Sequence, residues 1–330
     1  MEASVFPVSF RERFQNLLPA IDRALQATVL PHLPENLRQP IEYFLSLPGK
    51  KIRPLLTLSA CEVVRGEWAP ALPAAIAVEL FHDFTLIHDD IMDQDALRRG
   101  YPSLHVKYGD SLAILVGDAL IGLAYQQLMK VPAPALEPAT RIFTEALVKV
   151  CEGQALDKAF ESRQTVSVEE YLDMIGKKTA WLFRAACALG GICGGGNEKT
   201  VHRLAEFGFH LGLAFQIQDD LLDVIADPRQ LGKEVGSDFR MDKKTYVTLK
   251  YQAVLAERPE ATRTYPAQAA DYPHFDAFRQ ALQELGVVEA VQADADFYLR
   301  RTQELLSTVA PLEEANPLSA ITRFLEHRQY

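Results

Sequence analysis

Two groups of carboxylates carry the first chemical signal in this chain. HDDIMDQDALRRGYPS, residues 88–103, places Asp89, Asp90, Asp93 and Asp95 within seven residues and follows them with Arg98 and Arg99. FQIQDDLLDV repeats the D-D-x-x-D pattern about 130 residues later with Asp219, Asp220 and Asp223. On a helix, residues at i, i+3 and i+4 meet on one side, so each triplet projects together while Asp95 falls off that face. Like charges crowded in this way repel unless a cation lies between them. With Asp near one residue in twenty, a D-D-x-x-D is expected about 0.04 times in such a chain, so two copies outweigh the alternative of solvated acidic faces. Oxygen donors without a Cys or His cluster point to a hard cation, Mg²⁺, which keeps water and bridges a few carboxylates to phosphate.

If the cation bridges to phosphate, basic side chains belong at the same place. Arg98 and Arg99 follow the first cluster; PGKKIRP supplies Lys50, Lys51 and Arg53; GKKTAWLF supplies Lys178 and Thr179; GKEVGSDFRMDKKT supplies Lys233, Lys243 and Lys244 just after the second cluster. Arginine offers a planar fork to phosphate oxygens and lysine a compact point charge. One basic pair is ordinarily solvated surface; four patches around two aspartate motifs in an acidic chain are not.

The elements that must hold these residues are helical. Apolar residues recur with helical period over 11–30, 54–64, 71–93, 111–129, 140–161, 168–189 and 201–224, then over 246–256, 275–285, 286–306 and 317–327, and no alternating β-branched run competes. Nine prolines, from Pro31 to Pro138 and including Pro40, fall between these stretches. GGICGGG, 190–196, reads as a flexible helix–helix loop, since no strand precedes it and it lacks a nucleotide-loop pattern. The Pro/Ala/Tyr-rich region 257–273 reads as a surface connection. With 330 residues, 48% of them hydrophobic, and no internal repeat, the expected architecture is all-α, one domain over 1–330.

The formal charge of −10 excludes a nucleic-acid partner, which requires a basic face. Cys61, Cys151, Cys187 and Cys193 form no C-x-x-C or zinc-like spacing and read as reduced thiols. The first residues lack a signal-peptide apolar run. LAILVGDALIGLAY is interrupted by Asp118 and too short to span a bilayer, so a cytoplasmic location without stable membrane insertion is expected.

LPGKKIRP, HDDIMDQDALRRGYPS, GQALD, KKTA, FQIQDDLLD and GKEVGSDFRMDKKT together resemble the trans-isoprenyl diphosphate synthases (polyprenyl synthetases), in family order from about Lys50 to Thr245. The resemblance implies a helical bundle around a deep central cavity, usually a homodimer, that joins isopentenyl diphosphate head-to-tail to an allylic diphosphate with three Mg²⁺ ions. By position, Asp89, Asp90 and Asp93 would hold two ions, and Asp219, supported by Asp220 and Asp223, a third. Arg98, Lys178, Lys233 and Lys243 would bind the allylic diphosphate; Lys50, Arg53, His82 and Arg99 the isopentenyl diphosphate. Thr179 and Gln216 would direct oxygens at the developing carbocation, and Gln154 and Asp157 would line the cavity beside the metals. The chain departs from the family pattern at Pro48, Lys51 and Asp242, where glycine, arginine and glycine are usual.

The chemistry such a site must perform is ionisation of the allylic C–O bond. The pyrophosphate charge is neutralised, the double bond of isopentenyl diphosphate attacks the cation, and a proton is lost to the departing pyrophosphate. No protein nucleophile is required, and water must be kept out. Phe84 and Phe81 lie five and eight residues before Asp89 and stack on one helix face, so they are expected to floor the cavity and limit the product to fifteen or twenty carbons, leaning to farnesyl over geranylgeranyl diphosphate. A terpene cyclase or head-to-head synthase would carry similar aspartates but not require the second diphosphate pocket that LPGKKIRP and LRRG suggest. An inactive regulatory subunit would carry damaged motifs, and both are intact here.

Overall fold

The computed structural model describes residues 12, 14–225, 239, 243–312 and 316–326. In chain order the helices are α1 (Leu17–Gln26), α2 (Glu35–Ser46), α3 (Ile52–Arg65), α4 (Leu72–Asp93), α5 (Leu104–Tyr108), α6 (Asp110–Leu128), α7 (Ala133–Ser162), α8 (Val168–Ile175), α9 (Trp181–Cys193), α10 (Glu198–Ile225), α11 (Tyr246–Glu257), α12 (Phe275–Glu284), α13 (Val287–Ser307) and α14 (Pro317–Glu326). A two-stranded antiparallel hairpin, β1 (Leu97–Arg98) and β2 (Tyr101–Pro102), is the one sheet among the described residues. The fold is all-α, as the periodicity requires.

Helix α9 sits at the centre. Its sequence, WLFRAACALGGIC, is apolar nearly all round, and a helix of that kind is stable only when buried on every side. It packs against α3, α4, α7 and α10. Its small residues allow close approach: a Cβ built on Gly190 would come within 2.2 Å of the Thr57 carbonyl oxygen on α3. The stretch 190–196, expected as a flexible loop, is therefore half helix, with Gly190, Gly191 and Cys193 buried in the last turns of α9. Absence of side chains at that seam is a packing requirement, not a sign of looseness.

Prolines also proved more tolerant than expected. Pro40 lies inside α2, a helix the periodicity did not reveal, and Pro138 lies inside α7 after Pro134 in its first turn. Each loses at most one internal hydrogen bond near a helix start, which burial of Ile41, Phe44 and Leu45 on α2 and Phe143 and Ala146 on α7 offsets. The region 257–273 forms short turns on the surface, as expected.

The expected helix over 168–189 is interrupted at its middle. Gly176–Ala180, GKKTA, forms a π-turn between α8 and α9. Single π-turns inserted between α-helices are energetically poor and recur at functional sites. Here α7 presses on the turn: a Cβ on Gly153 would lie 2.2 Å from the Lys178 backbone nitrogen. The apolar sides of α4, α6, α7 and α9 share one core, and α8, α11 and α12 close a second around the end of α10.

Candidate active site

Both aspartate motifs fall at helix C-termini, Asp93 closing α4 and Asp223 lying two residues from the end of α10. The backbone dipole is already negative there, so three carboxylates at each end cost stability unless cations compensate. At the first motif, lysines from three other segments do. Lys178 Nζ of the π-turn is 3.5 Å from Asp89 and donates to Asp157 Oδ2 at 2.6 Å. Lys158 of α7 donates to Asp93 Oδ1 at 3.3 Å, and Lys243, before α11, donates to Asp93 Oδ2 at 3.1 Å. Gln154 Nε2 donates to Asp89 Oδ1 at 2.5 Å.

The three aspartates of the first motif do not share one face equally. Asp89 and Asp93, a full turn apart, face α7 and the lysines. Asp90, one residue round, is 1% exposed and turned to the hairpin, where Arg98 Nε donates to its Oδ1 at 2.8 Å. Arg98 also reaches Asp95, at 3.6 Å. The offset of about 100° per residue separates i from i+1 more than the shared-face expectation allowed.

The second motif divides the same way. Asp220 is buried and accepts hydrogen bonds from Tyr171 Oη at 2.7 Å, from Gln216 Nε2 at 2.9 Å and from the Tyr246 backbone nitrogen at 2.9 Å. It serves as a structural post tying α8, α10 and α11 together. Asp219 is exposed and Asp223 half-buried. Thr179 Oγ1 donates to Gln216 Oε1 at 2.9 Å, so the π-turn touches the first motif through Lys178 and the second through Thr179.

A second cationic group lies deeper along α4. Glu79, His82 and Asp83 form an i, i+3, i+4 stripe, facing Lys51 and Arg53 at the start of α3 and Arg99 in the hairpin turn. Arg53 Nη1 donates to His82 Nε2 at 3.0 Å, and its guanidinium lies over the Phe183 ring at 4.7 Å. Lys51 Nζ is 3.0 Å from Glu79. Lys50 is half-buried beside them. Arg99 and Gly100 both have positive φ, 55° and 81°, the two-residue I′ hairpin pattern that points Arg98 and Arg99 apart.

Electrostatics follow the geometry. Burial raises Asp89, opposed by Lys178 and reinforced by Asp93 and Asp157. Burial also acts on Asp93, but Lys243, Lys178 and Lys158 together outweigh it and the carboxyl ends below its usual range. Burial draws the Lys178 ammonium down, yet Asp89 and Asp157 leave it raised. Burial, then Arg53 and Arg99, push His82 well below the usual imidazole range, so it is neutral and accepts from Arg53. Arg53 is pushed down to about 10, chiefly by burial.

The carboxylates fit a hard divalent cation. Asp89 retains more burial than its single lysine compensates, which is the condition a cation at that carboxylate relieves. Among the described residues no three acidic, His or Cys side chains gather closely enough to hold a metal unaided. That donor set suits Mg²⁺, which completes its shell with water and phosphate oxygens.

Phe81 and Phe84 stack as expected, centroids 6.0 Å apart. Phe81 is fully buried edge-on to Phe143 of α7 at 5.3 Å, itself against Tyr125 of α6 at 5.2 Å. Phe84 is only part-buried and rests on His88 at 4.9 Å. Of the expected site residues, Lys233 lies outside the described residues. Residues that went unnoticed in the sequence include Lys158, Tyr171, Glu79 and Asp83. Lys158 was findable, four residues after Gln154 on the same face of α7; Tyr171 was not, since only tertiary packing brings it to Asp220.

Comparison with known proteins agrees with this geometry. Residues 34–284 match the family model of the polyprenyl synthetases. The chain is 37% identical over 310 residues to a short chain isoprenyl diphosphate synthase of Methanothermobacter thermautotrophicus, covering 94% of this chain and 95% of that one. It is 36% identical over 323 residues to a geranylgeranyl diphosphate synthase of Methanosarcina mazei, covering 97% of each. The crystal structure of geranylgeranyl pyrophosphate synthetase from Pyrococcus horikoshii superposes with a TM-score of 0.88 at 33% identity, covering 97% of this chain and 98% of that one.

Proposed function

The chain belongs to the polyprenyl synthetase family and is a short-chain trans-prenyl diphosphate synthase, and on that premise we propose that it makes the twenty-carbon geranylgeranyl diphosphate with Mg²⁺ at its two aspartate motifs. The carrying observation is the convergence of Asp89, Asp93 and Lys178 with Thr179 and Gln216 around one π-turn. Bound Mg²⁺ supplies Lewis acidity and counter-charge to the allylic diphosphate; Asp89, Asp93, Asp219 and Asp223 would hold it.

The chain's own groups do the rest. Lys178, Lys243 and Arg98 neutralise the diphosphate as it leaves, with Lys233 in the same role. Thr179 and Gln216 turn oxygen dipoles towards the carbon that becomes cationic. Arg53, Arg99, Lys50 and neutral His82 hold isopentenyl diphosphate from the other side of α4's end. The proton lost from it leaves with pyrophosphate. The fifteen-carbon lean gives way to twenty carbons because the part-buried Phe84 is the nearer ring, and the Methanosarcina mazei relative is named for that product.

A homodimer belongs to the same reading. Ile114 and Leu115 of α6 are 44% and 56% exposed, and Val148 of α7 is 53% exposed, an apolar row suited to a second copy. Helix α6 and the segment Ala69–Asp93 are long and apolar enough to cross a membrane, α6 more so than its apolar stretch alone implied. Segment Ala69–Asp93 is mostly buried and α6 buries Val116, Leu120 and Ala124, which favours core helices over membrane spans; a cytoplasmic protein whose exposed α6 face meets protein belongs to the same proposal.

The test is chromatography of dephosphorylated products from isopentenyl diphosphate with dimethylallyl, geranyl or farnesyl diphosphate and Mg²⁺. A twenty-carbon alcohol, abolished by EDTA and restored by Mg²⁺, is expected; a fifteen-carbon end product overturns the length, and no condensation with any primer overturns the activity.

A further inference from the structure

Glu79 and Asp83 take no part in the chemistry above, yet both are 1% exposed. Neither carboxylate oxygen of Asp83 has a hydrogen-bond partner. A buried carboxylate without donors destabilises the fold, so its position calls for another explanation than stability. Opposite this stripe stand two cationic residues in left-handed backbone, Lys51 at φ 49° and Arg99 at φ 55°. Non-glycine residues keep that conformation only where their surroundings hold it. Each is drawn to the stripe: Lys51 Nζ is 3.0 Å from Glu79, and Arg99 Nη2 is 3.9 Å from Asp83 Oδ1. On its far side the Arg99 guanidinium lies against Gly49, where a Cβ would come within 2.8 Å of Nη1. Arg99 Nη1 and Arg53 Nε are buried donors without an acceptor.

We propose that Asp83 is a positioning residue for the isopentenyl diphosphate pocket, its carboxylate holding Arg99 in the left-handed turn against Gly49 so that Arg99 and Arg53 present their donors together to the incoming diphosphate. The inference rests on the assignment of Arg53, His82 and Arg99 to that pocket. Asp83 acts at a distance from the allylic end of the site, since its own partners are the cations of α3 and the hairpin turn.

Asp83→Asn keeps the size and removes the charge. The expected result is a KM for isopentenyl diphosphate raised about tenfold, with kcat and the allylic KM within about twofold. The thermal midpoint stays level or rises, because a buried carboxylate that no donor reaches within hydrogen-bond distance has gone. An unchanged or lower KM for isopentenyl diphosphate, or an equal rise in both KM values, overturns the proposal. Arg99→Gln in the same assay separates the two readings: if it leaves that KM unchanged, the pocket assignment itself fails, and if it alone raises the KM, only the role of Asp83 fails. Asp83→Ser carries the same comparison should the asparagine variant not fold.

Discussion

Arg98 and Arg99 are neighbours in the chain but serve different turns of α4, Arg98 its C-terminal end and Arg99 its middle. Arg98 donates to Asp90 and Arg99 approaches Asp83, carboxylates seven residues apart. Two helical turns, about 10.5 Å of rise, lie between them. A tight hairpin turn with positive φ at both Arg99 and Gly100 splays the pair. One short stretch of sequence thereby addresses two anions, as a two-substrate condensation requires.

Asp89→Ala should lower turnover by at least about a thousandfold, since on the proposed reading it removes a metal ligand, and with it a carboxylate beside Lys178. Asp89 is only part-buried near a helix end, so the helical circular-dichroism signal and thermal midpoint should stay near wild type. Retained pyrophosphate release in a steady-state assay would contradict the metal-site assignment.

Gly153→Ala tests the π-turn. The added methyl meets the Lys178 backbone nitrogen at 2.2 Å, and main chain cannot swing aside as a flexible side chain would. Destabilisation of roughly 1–3 kcal/mol is expected from overpacking, with a drop in kcat larger than the rise in either KM. If kcat holds while stability falls, the turn's exact placement does not govern catalysis.

The two phenylalanines should part company under substitution. Phe84→Ala opens the nearer ring and should lengthen the product at little thermal cost. Phe81→Ala empties a fully buried position against Phe143, so a loss of about 3–5 kcal/mol is expected with a further lengthening when combined with Phe84→Ala. Unaltered product chromatograms for the double variant would remove both rings from the floor.

Stability should depend on pH through Asp83. Burial lifts this carboxyl to about 7, Lys51 and Arg99 opposing. The folded chain therefore binds a proton there that the unfolded chain, near its ordinary carboxylate value, releases. Stability is present at low pH and lost as pH rises from about 4 through 7. Asp83→Asn abolishes the effect, so the variant's thermal midpoint should gain on wild type between pH 5 and pH 7 and level off above that. A constant difference across that range would assign the wild-type pH dependence elsewhere.

Much of this was legible in the residues themselves. Helical period placed most helices within a few residues, because apolar spacing reports which face is buried whatever it is buried against. The paired D-D-x-x-D motifs and Lys178 with Thr179 were likewise readable, Gln154 with Asp157 only through the family resemblance, and the structure brings all of them together. What failed were judgements about glycine and proline. Gly190 looked like a loop residue and is a helix seam; Pro40 looked like a boundary and is inside a helix, because tertiary burial overrode the local penalty.

The aspartates show where the division falls. Their types and spacing sufficed to announce two acidic helix ends and to suggest a hard cation, since charge repulsion and helical period are local properties. Which aspartate stays open towards the lysines and which is a post was settled only by folding. Asp90 is taken by Arg98 from the hairpin, and Asp220 by Tyr171 and Tyr246 from helices far along the chain. Those partners are chosen by packing of elements distant in sequence, and the buried stripe of Glu79 and Asp83 became visible only when α3, α4 and the hairpin closed around it.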